Sequence, residues 1–199
     1  MDAAFWNDRY SAAHYVYGES PNRFLTEAAP QIPPGAVLCL AEGEGRNAVY
    51  LASLGHPVTA VDQSEAGLAK ARRLAAARGV AIETIVANLE NFSIAPNTWA
   101  GIVAIFAHLP PPLRRRLHRE IVSGLRPGGV FILEAYTPAQ LILGTGGPKL
   151  PELLMTLAAL RDELSDLDFL VARELERDVI EGLGHTGRGA VVQILARRP

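Results

Sequence analysis

A glycine-containing turn and a carboxylate are the residues of this sequence whose types and spacing point to chemistry. The turn, residues 41–47 (AEGEGRN), follows an apolar run, and Gly43 and Gly45 lack the Cβ atoms that keep a ligand away from the backbone. Asp62 ends the next apolar run, 19 residues after Gly43, the spacing at which an acid accepts hydrogen bonds from a ribose diol. Together they predict an adenosine-type ligand, and a plain strand-to-helix turn is the simpler alternative.

The charge of this turn distinguishes between two candidate nucleoside ligands. Glu42 and Glu44 flank Gly43, and two carboxylates disfavour the pyrophosphate of a nicotinamide dinucleotide, which needs bare amides and a helix N-terminus. S-adenosylmethionine has no phosphate and carries a sulfonium and an ammonium instead, so the same carboxylates suit it. We therefore predict S-adenosylmethionine as the cofactor, with a nicotinamide-dependent oxidoreductase as the less favoured alternative.

The order of the predicted strands and helices explains how the turn at residues 41–47 and Asp62 come to lie at the same edge of the sheet. Short apolar runs alternate with amphipathic helical segments, a pattern typical of a parallel sheet covered by helices on both faces. The predicted strands are residues 37–41, 57–61, 81–86, 100–106, 130–135, 169–180 and 190–197, and the predicted helices are 47–54, 65–78, 111–125 and 151–164. The last two strands should form an antiparallel hairpin. We predict an α/β fold, a Rossmann-like doubly wound and mostly parallel sheet, with its ligand at the carboxyl ends of the strands.

Composition excludes several classes of protein. The chain has 199 residues, 49% hydrophobic and 20% charged, which predicts a single domain over residues 1–199. No apolar run reaches the roughly eighteen residues of a membrane span, and the N-terminus does not resemble a secretion signal, so we expect no membrane partner and a cytoplasmic location. A net charge of −2 argues against nucleic acid as a partner. Cys39 is the sole cysteine and no metal-ligand spacing occurs, so no metal site is predicted.

Four segments carry a family resemblance: residues 37–52 (VLCLAEGEGRNAVYLA), 61–64 (VDQS), 87–89 (ANL) and 125–129 (LRPGG). They resemble the class I S-adenosylmethionine-dependent methyltransferases, and within them the small tellurite-resistance-type methyltransferases. Residues 5–10 and 17–22 are similar to the lead-in of that subgroup, so residues 1–30 are expected to form a lead-in or lid segment. The resemblance covers nearly the whole chain and implies a seven-stranded sheet whose last strand is antiparallel.

The resemblance also implies roles for individual residues. Gly43 and Gly45 would line the methionine and ribose, Asp62 would take the ribose hydroxyls, and Gln63 would pass near the adenine. The residues expected to contact the cofactor are Ala41, Glu42, Gly43, Glu44, Gly45, Asn47, Asp62, Gln63, Ser64, Asn88, Leu89, Phe106, Ala107, His108 and Tyr17.

The chain departs from the family pattern at three positions. Cys39 and Ala41 stand where the family usually has an acid and a glycine, and Asn88 stands where it usually has an acid against the adenine amine. Which group holds the methionine ammonium is therefore open, with Glu42 as one candidate. The altered first strand also motivates an alternative from another class, a donor-binding protein without transferase activity.

Two histidines are candidate catalytic residues. A sulfonium methyl requires alignment of the acceptor and exclusion of water rather than a dedicated nucleophile, so we expect a short catalytic list. His108 directly follows the buried fourth strand and suits a base or an acceptor-orienting group, and a structural hydrogen-bonding histidine is the equal alternative. His185 lies in the glycine-rich segment 182–189, which a simple hairpin turn explains as well.

The remaining polar and aromatic clusters carry weaker predictions. Tyr10, Tyr15 and Tyr17 suit a lid over the donor, although packing onto the sheet would give the same composition. The basic segment 114–119 is interpreted as a solvated helix face. The expected acceptor is a small molecule, either a thiol, a metalloid oxyanion or another small metabolite, and the chain is expected to be a monomer or a homodimer.

Overall fold

A computed structural model describes residues 2–182 and 185–199, except for the side chain of His185. Its seven strands are β1 (Val37–Leu40), β2 (Val58–Asp62), β3 (Glu83–Val86), β4 (Trp99–Ile105), β5 (Leu125–Tyr136), β6 (Asp168–Glu181) and β7 (His185–Arg197). They form one sheet in the order β3-β2-β1-β4-β5-β7-β6, in which β7 is antiparallel to both of its neighbours and the other six strands share one direction. This confirms the predicted fold class.

Helices cover both faces of the sheet. They are α1 (Ala3–Tyr10), α2 (Arg23–Ala28), α3 (Arg46–Ser53), α4 (Glu65–Ala77), α5 (Pro111–Gly124), α6 (Gln140–Leu143) and α7 (Leu157–Glu163). Residues of α2 and α3 share one apolar core with the sheet, while residues of α5 and α7 belong to a second core on the opposite face. Burial on both faces explains why β1 and most of β4 are continuous apolar runs rather than alternating ones.

The boundaries of α4 follow from local sequence. Ser64 is the N-cap, and its side chain accepts a hydrogen bond from the backbone N–H of Gly67. Glu65 places a negative charge in the first turn, where it interacts favourably with the helix dipole. The helix ends before Gly79, whose φ of +69° suits a glycine at this position.

Predicted helix 151–164 is wrong in its first half. Residues Pro151–Leu153 form a single 3₁₀ turn, and α7 begins only at Leu157. The chain straightens between them because the backbone N–H of Met155 donates to the carbonyl of Tyr136 in β5, which holds the segment against the sheet. Thr156 then caps α7 by accepting from the N–H of Ala159.

The C-terminal hairpin is longer than predicted. The segment 182–189 was interpreted as a loop, whereas β7 already begins at His185 and Gly187 pairs with Val179 of β6. The pairing of β6 with β7 extends into this segment despite the turn propensity of its glycines, because each additional residue pair forms backbone hydrogen bonds. Residues 183 and 184 lie outside the described residues.

The basic segment 114–119 is not a fully solvated face, contrary to prediction. Arg114 and His118 are buried between α5 and α7. The guanidinium of Arg114 donates to both carboxylate oxygens of Glu163, with distances of 2.7 to 3.2 Å, and His118 Nδ1 lies 2.7 Å from Glu163 Oε2. The burial was missed because the partner carboxylate lies on a different helix, 49 residues beyond Arg114 along the chain.

We predict that Glu163→Gln lowers the free energy of unfolding by about 1.5–3 kcal/mol near neutral pH, the scale of hydrogen bonds to a charged group. Burial raises the pKa of Glu163, but hydrogen bonds from His118 and Arg114 outweigh it and bring the pKa down to about 2. This stabilisation is complete above the ordinary pKa of 4.5 and is lost as the pH falls towards 2. Urea unfolding at pH 7 and pH 3.5 measures it, and a difference between the two proteins that does not shrink at the lower pH would contradict the prediction.

Within the described residues, no helix is long and apolar enough to cross a membrane. Among the same residues there is no group of three or more His, Cys, Asp or Glu side chains arranged to hold a metal ion.

Candidate active site

A cavity of about 890 Å³ opens where β1, β2, β3 and β4 end. Ala41 follows β1, Asp62 ends β2, Ala87 follows β3 and Phe106 follows β4, and all four residues line the cavity. The volume lies in the upper part of the range found for small-molecule sites. Ala41 and Phe106 have φ values of +52° and +54°, which are uncommon for residues with side chains. Backbone strain of this kind is typical of functional sites.

Asp62 is held rigidly at the edge of this cavity. Its Oδ2 accepts from the N–H of Gly43 at 2.9 Å, and its Oδ1 accepts from the N–H of Ser64 at 2.8 Å. Burial raises the pKa of Asp62, and these backbone donors oppose the increase. Each carboxylate oxygen has a second lone pair, so the side chain can still accept hydrogen bonds from a diol.

Glu42 is a buried carboxylate without a basic hydrogen-bond partner. Its Oε1 accepts from the N–H groups of Asn47 and Ala48 at 2.9 and 2.8 Å, and thereby caps α3, where Gly45 at the N-cap position has no side chain to do so. Burial raises the pKa of Glu42 to about 7 despite these donors and the nearby charge of Arg46. A bound cation would favour the ionised form of this group.

Glu44 does not leave a free negative charge in the turn, and this corrects half of the charge argument made from the sequence. Its Oε1 accepts from Lys70 Nζ at 2.6 Å, and both side chains are almost fully buried. Its Oε2 accepts from the N–H groups of Val16 and Tyr17, at 2.8 and 3.3 Å. Glu44 thus connects the lead-in segment to the turn. Of the two carboxylates of the turn, only Glu42 still supports the preference for a positively charged ligand.

Three of the residues expected to contact the cofactor do not line the cavity. A Cβ on Gly45 would lie 2.4 Å from the Cβ of Ala71 in α4, and a Cβ on Gly43 would lie 2.6 Å from the hydroxyl of Tyr10. Ser64 is fully buried as the cap of α4. The glycines therefore permit close packing of the turn against its neighbours. The other expected residues all line the cavity, namely Ala41, Glu42, Glu44, Asn47, Asp62, Gln63, Asn88, Leu89, Phe106, Ala107, His108 and Tyr17.

The side chain of Asn88 is partly engaged in a local turn. Its Oδ1 accepts from the N–H of Glu90 at 2.9 Å. The residue nevertheless lines the cavity, together with Gln63 and the buried Leu89. This end of the cavity therefore combines an amide with apolar surface, a composition that suits a heteroaromatic ring.

His108 also lines the cavity and has partners at both ring nitrogens. Its Nδ1 lies 2.9 Å from the carbonyl of Leu153, and its Nε2 accepts from the N–H of Tyr136 at 3.4 Å. These partners define the tautomer, with the proton on Nδ1. Burial lowers the pKa of His108 to about 4, so the ring is neutral at physiological pH. This geometry favours the structural alternative over a general base.

His185, the second candidate, begins β7, where its backbone pairs with Glu181. Its side chain lies outside the described residues, so its proposed catalytic role stays a prediction.

Residues of the N-terminal helix, together with Tyr17, form one wall of the cavity. The sequence predicted this segment as a lid over the donor. Phe5, Trp6, Arg9, Tyr10 and Tyr17 line the cavity. The rings of Trp6 and Tyr10 stack with centroids 5.5 Å apart, and the Arg9 guanidinium lies 5.9 and 5.5 Å from the ring centroids of Trp6 and Tyr17. Aromatic side chains in residues 5–17 were the signal for this wall.

Tyr15 does not belong to this wall. Its hydroxyl donates to the carbonyl of Lys70 at 3.2 Å, and its ring lies over the Lys70 ammonium. The prediction that all three tyrosines form a lid is therefore wrong for this one.

A second wall was not predicted at all. Residues 146–150, together with Glu152 and Leu153, also line the cavity. No pattern in this glycine- and proline-containing segment indicates a site. The one available signal was its position, because it follows β5, and chain that leaves the carboxyl end of a parallel strand emerges at the ligand edge of the sheet.

Part of the sequence is similar to known methyltransferases. Residues 37–129 match the family model of a methyltransferase domain. An uncharacterized methyltransferase, YodH of Bacillus subtilis (strain 168), is 33% identical over 112 residues, which cover 54% of this chain and 46% of YodH. The matched region thus spans about half the length of this curated relative.

Solved structures share the fold over nearly the whole chain. TehB from Haemophilus influenzae superposes with a TM-score of 0.73 at 22% identity, covering 99% of this chain and 67% of TehB. An S-adenosylmethionine-dependent methyltransferase from Clostridium acetobutylicum ATCC 824 superposes with a TM-score of 0.68 at 14% identity, covering 100% of this chain and 92% of that protein. Residues 37–129 are thus similar to a methyltransferase domain, and the seven-stranded sheet that they help to build has the fold of these solved structures.

Proposed function

We propose that this chain transfers the methyl group of S-adenosylmethionine to a small soft nucleophile, a thiol or a metalloid anion, that needs no base from the protein. The observation that carries the proposal is one cavity lined both by the buried carboxylates Glu42 and Asp62 and by a neutral His108 whose two ring nitrogens are hydrogen-bonded.

The residues around the turn fit the donor. Asp62 offers buried carboxylate lone pairs for the ribose hydroxyls, and Asn88 with Leu89 offers an amide and apolar surface for the adenine. Glu42 is the carboxylate we assign to the methionine ammonium, because Glu44 is already paired with Lys70. It takes the place of the first-strand acid that Cys39 replaces. When bound, the donor supplies a methyl group on a positively charged sulfur.

The apolar residues of the cavity exclude water and orient the acceptor. Leu109, Pro110, Leu113 and Leu153 are apolar, and Phe106 packs against Tyr136 in a tilted arrangement with ring centroids 4.6 Å apart. An apolar wall strengthens the interactions of the nucleophile with the reacting carbon by removing competing water. Neither ring nitrogen of His108 is available to take a proton, so an acceptor that ionises by itself suits this site.

The test is release of S-adenosylhomocysteine from the full chain with panels of thiols, metalloid oxyanions and phenols. We expect turnover with thiols or metalloids and little or none with phenols, whose pKa near 10 leaves them protonated. Calorimetry that shows donor binding without product from any acceptor would instead support a donor-binding protein without transferase activity.

The pH dependence gives a sharper prediction. At saturating donor, kcat/KM for a thiol with a pKa near 8.5 should rise about tenfold per pH unit between pH 6 and 8, following the thiolate fraction. It should then level above the pKa of the thiol, because no protein base contributes. A plateau that begins well below the pKa of the thiol, and keeps its position when the thiol is changed, would show a protein base and contradict this part of the proposal.

A further inference from the structure

One side chain of the N-terminal helix α1 accepts two hydrogen bonds from the start of α4 and its N-cap residue. The Oδ1 of Asn7 accepts from the hydroxyl of Ser64 at 2.8 Å and from the backbone N–H of Ala66 at 3.1 Å. The N–H of Ala66 lies in the first turn of α4, where backbone donors have no partner within the helix. Because Ala66 can only donate here, the contact identifies the accepting atom of Asn7 as its oxygen.

The same contact leads to the carboxylate assigned to the ribose. The hydroxyl of Ser64 gives its single hydrogen to Asn7 and accepts from the N–H of Gly67 at 3.1 Å, so its orientation is fixed. The backbone N–H of Ser64 in turn donates to Oδ1 of Asp62 at 2.8 Å. Asn7 is thus two hydrogen bonds away from Asp62.

Asn7 itself does not line the cavity, but its helix does. Phe5, Trp6, Arg9 and Tyr10 of α1 all line it, and Tyr10 packs against Gly43 of the turn and Gly67 of α4. A Cβ on Gly67 would lie 2.9 Å from the Tyr10 ring, so the two helices are in close contact at this point. The hydrogen bonds between Asn7 and the start of α4 therefore connect the wall formed by α1 with the carboxylate of Asp62 in the cavity.

We infer that Asn7 is a positioning residue, which couples the seating of α1 over the cavity to the orientation of the Asp62 carboxylate and so raises the affinity for the donor. This inference rests on the proposed function only for the identity of the ligand. The seating of α1 is a property of the protein without ligand.

Three variants test it. Asn7→Ala removes the accepting oxygen, Asn7→Asp keeps an oxygen that can accept both hydrogen bonds at a helix N-terminus, and Asp8→Ala changes an exposed neighbour on the same helix. Calorimetry with S-adenosylhomocysteine measures affinity, steady-state kinetics separates the donor KM from kcat, and amide hydrogen exchange of α1 in the ligand-free protein measures its seating.

For Asn7→Ala we expect an affinity about tenfold weaker, a donor KM raised by the same factor and kcat changed less than threefold, the scale of one net hydrogen bond. Exchange in α1 should be faster without ligand. Asn7→Asp should recover affinity to within about threefold, and Asp8→Ala should match the parent chain.

Two results would overturn the inference. One is an Asn7→Ala protein that keeps the affinity of the parent and its slow α1 exchange, and the other is an Asn7→Asp protein no better than Asn7→Ala. A parent chain that binds no adenosyl compound would overturn the proposed function and the affinity part of the inference, whereas the exchange experiment would still decide whether Asn7 seats α1.

Discussion

Replacing Glu44 with alanine is expected to lower the free energy of unfolding by about 3–5 kcal/mol, the cost of breaking a buried ion pair by removing one partner. The variant leaves the ammonium of Lys70 buried without its carboxylate, with the carbonyl of His14 as its remaining hydrogen-bond acceptor. It also removes the acceptor of the N–H groups of Val16 and Tyr17. Chemical denaturation at neutral pH measures the change.

Glu65→Ala is the matched control for this experiment. Glu65 also forms an ion pair with a basic residue of α4, Arg72, but both side chains are about half exposed. An exposed pair contributes about 0–1 kcal/mol, so the control should lose little stability. Equal losses for the two glutamate variants would show that the burial of the Glu44 and Lys70 pair has no special consequence.

Replacing Asp62 with alanine is expected to weaken donor binding by about 1–3 kcal/mol, the scale for losing hydrogen bonds to a charged group. The reason is the loss of the buried carboxylate that we assign to the ribose hydroxyls and that also orients the N–H groups of Gly43 and Ser64. Calorimetry with S-adenosylhomocysteine measures the loss directly.

Asp62→Asn separates the two contributions of this side chain. Its amide keeps one accepting oxygen and the size of the carboxyl group, but it has no charge, so an intermediate affinity is expected. Thermal unfolding of each variant without ligand detects any general damage to the turn. An unchanged affinity in Asp62→Ala would refute the ribose assignment.

Sequence order and local chemistry were enough to predict the sheet. Alternating apolar runs and amphipathic segments predicted a doubly wound sheet, and all seven predicted strands are found, with shifted ends. The hairpin ladder extends further towards the turn than the glycines of residues 182–189 suggested, because backbone pairing along β6 and β7 overrides local turn preference. The broken helix at 151–164 depended on a hydrogen bond from Met155 to β5, which no local pattern encodes.

The site was predictable where its residues follow strands directly. Ala41, Asp62, Asn88 and Phe106 each stand at or just beyond the carboxyl end of a predicted strand, and parallel strands bring these ends to one edge. The wall formed by residues 146–153 follows the same rule but carries no distinctive residue types. Sequence reasoning therefore located the cavity residues around the turn better than the wall at residues 146–153.

The sequence by itself determined the fold class, the turn, and the acid that follows it, because these depend on periodicity and on spacings of about twenty residues. Only the tertiary structure decided which charges are free. Glu44 is neutralised by Lys70, Arg114 is buried against Glu163, and His108 is kept neutral by burial, with its Nδ1 against the carbonyl of Leu153. Each of these partners lies 26 to 49 residues away along the chain, and the strength of a charge depends on burial and on such distant neighbours.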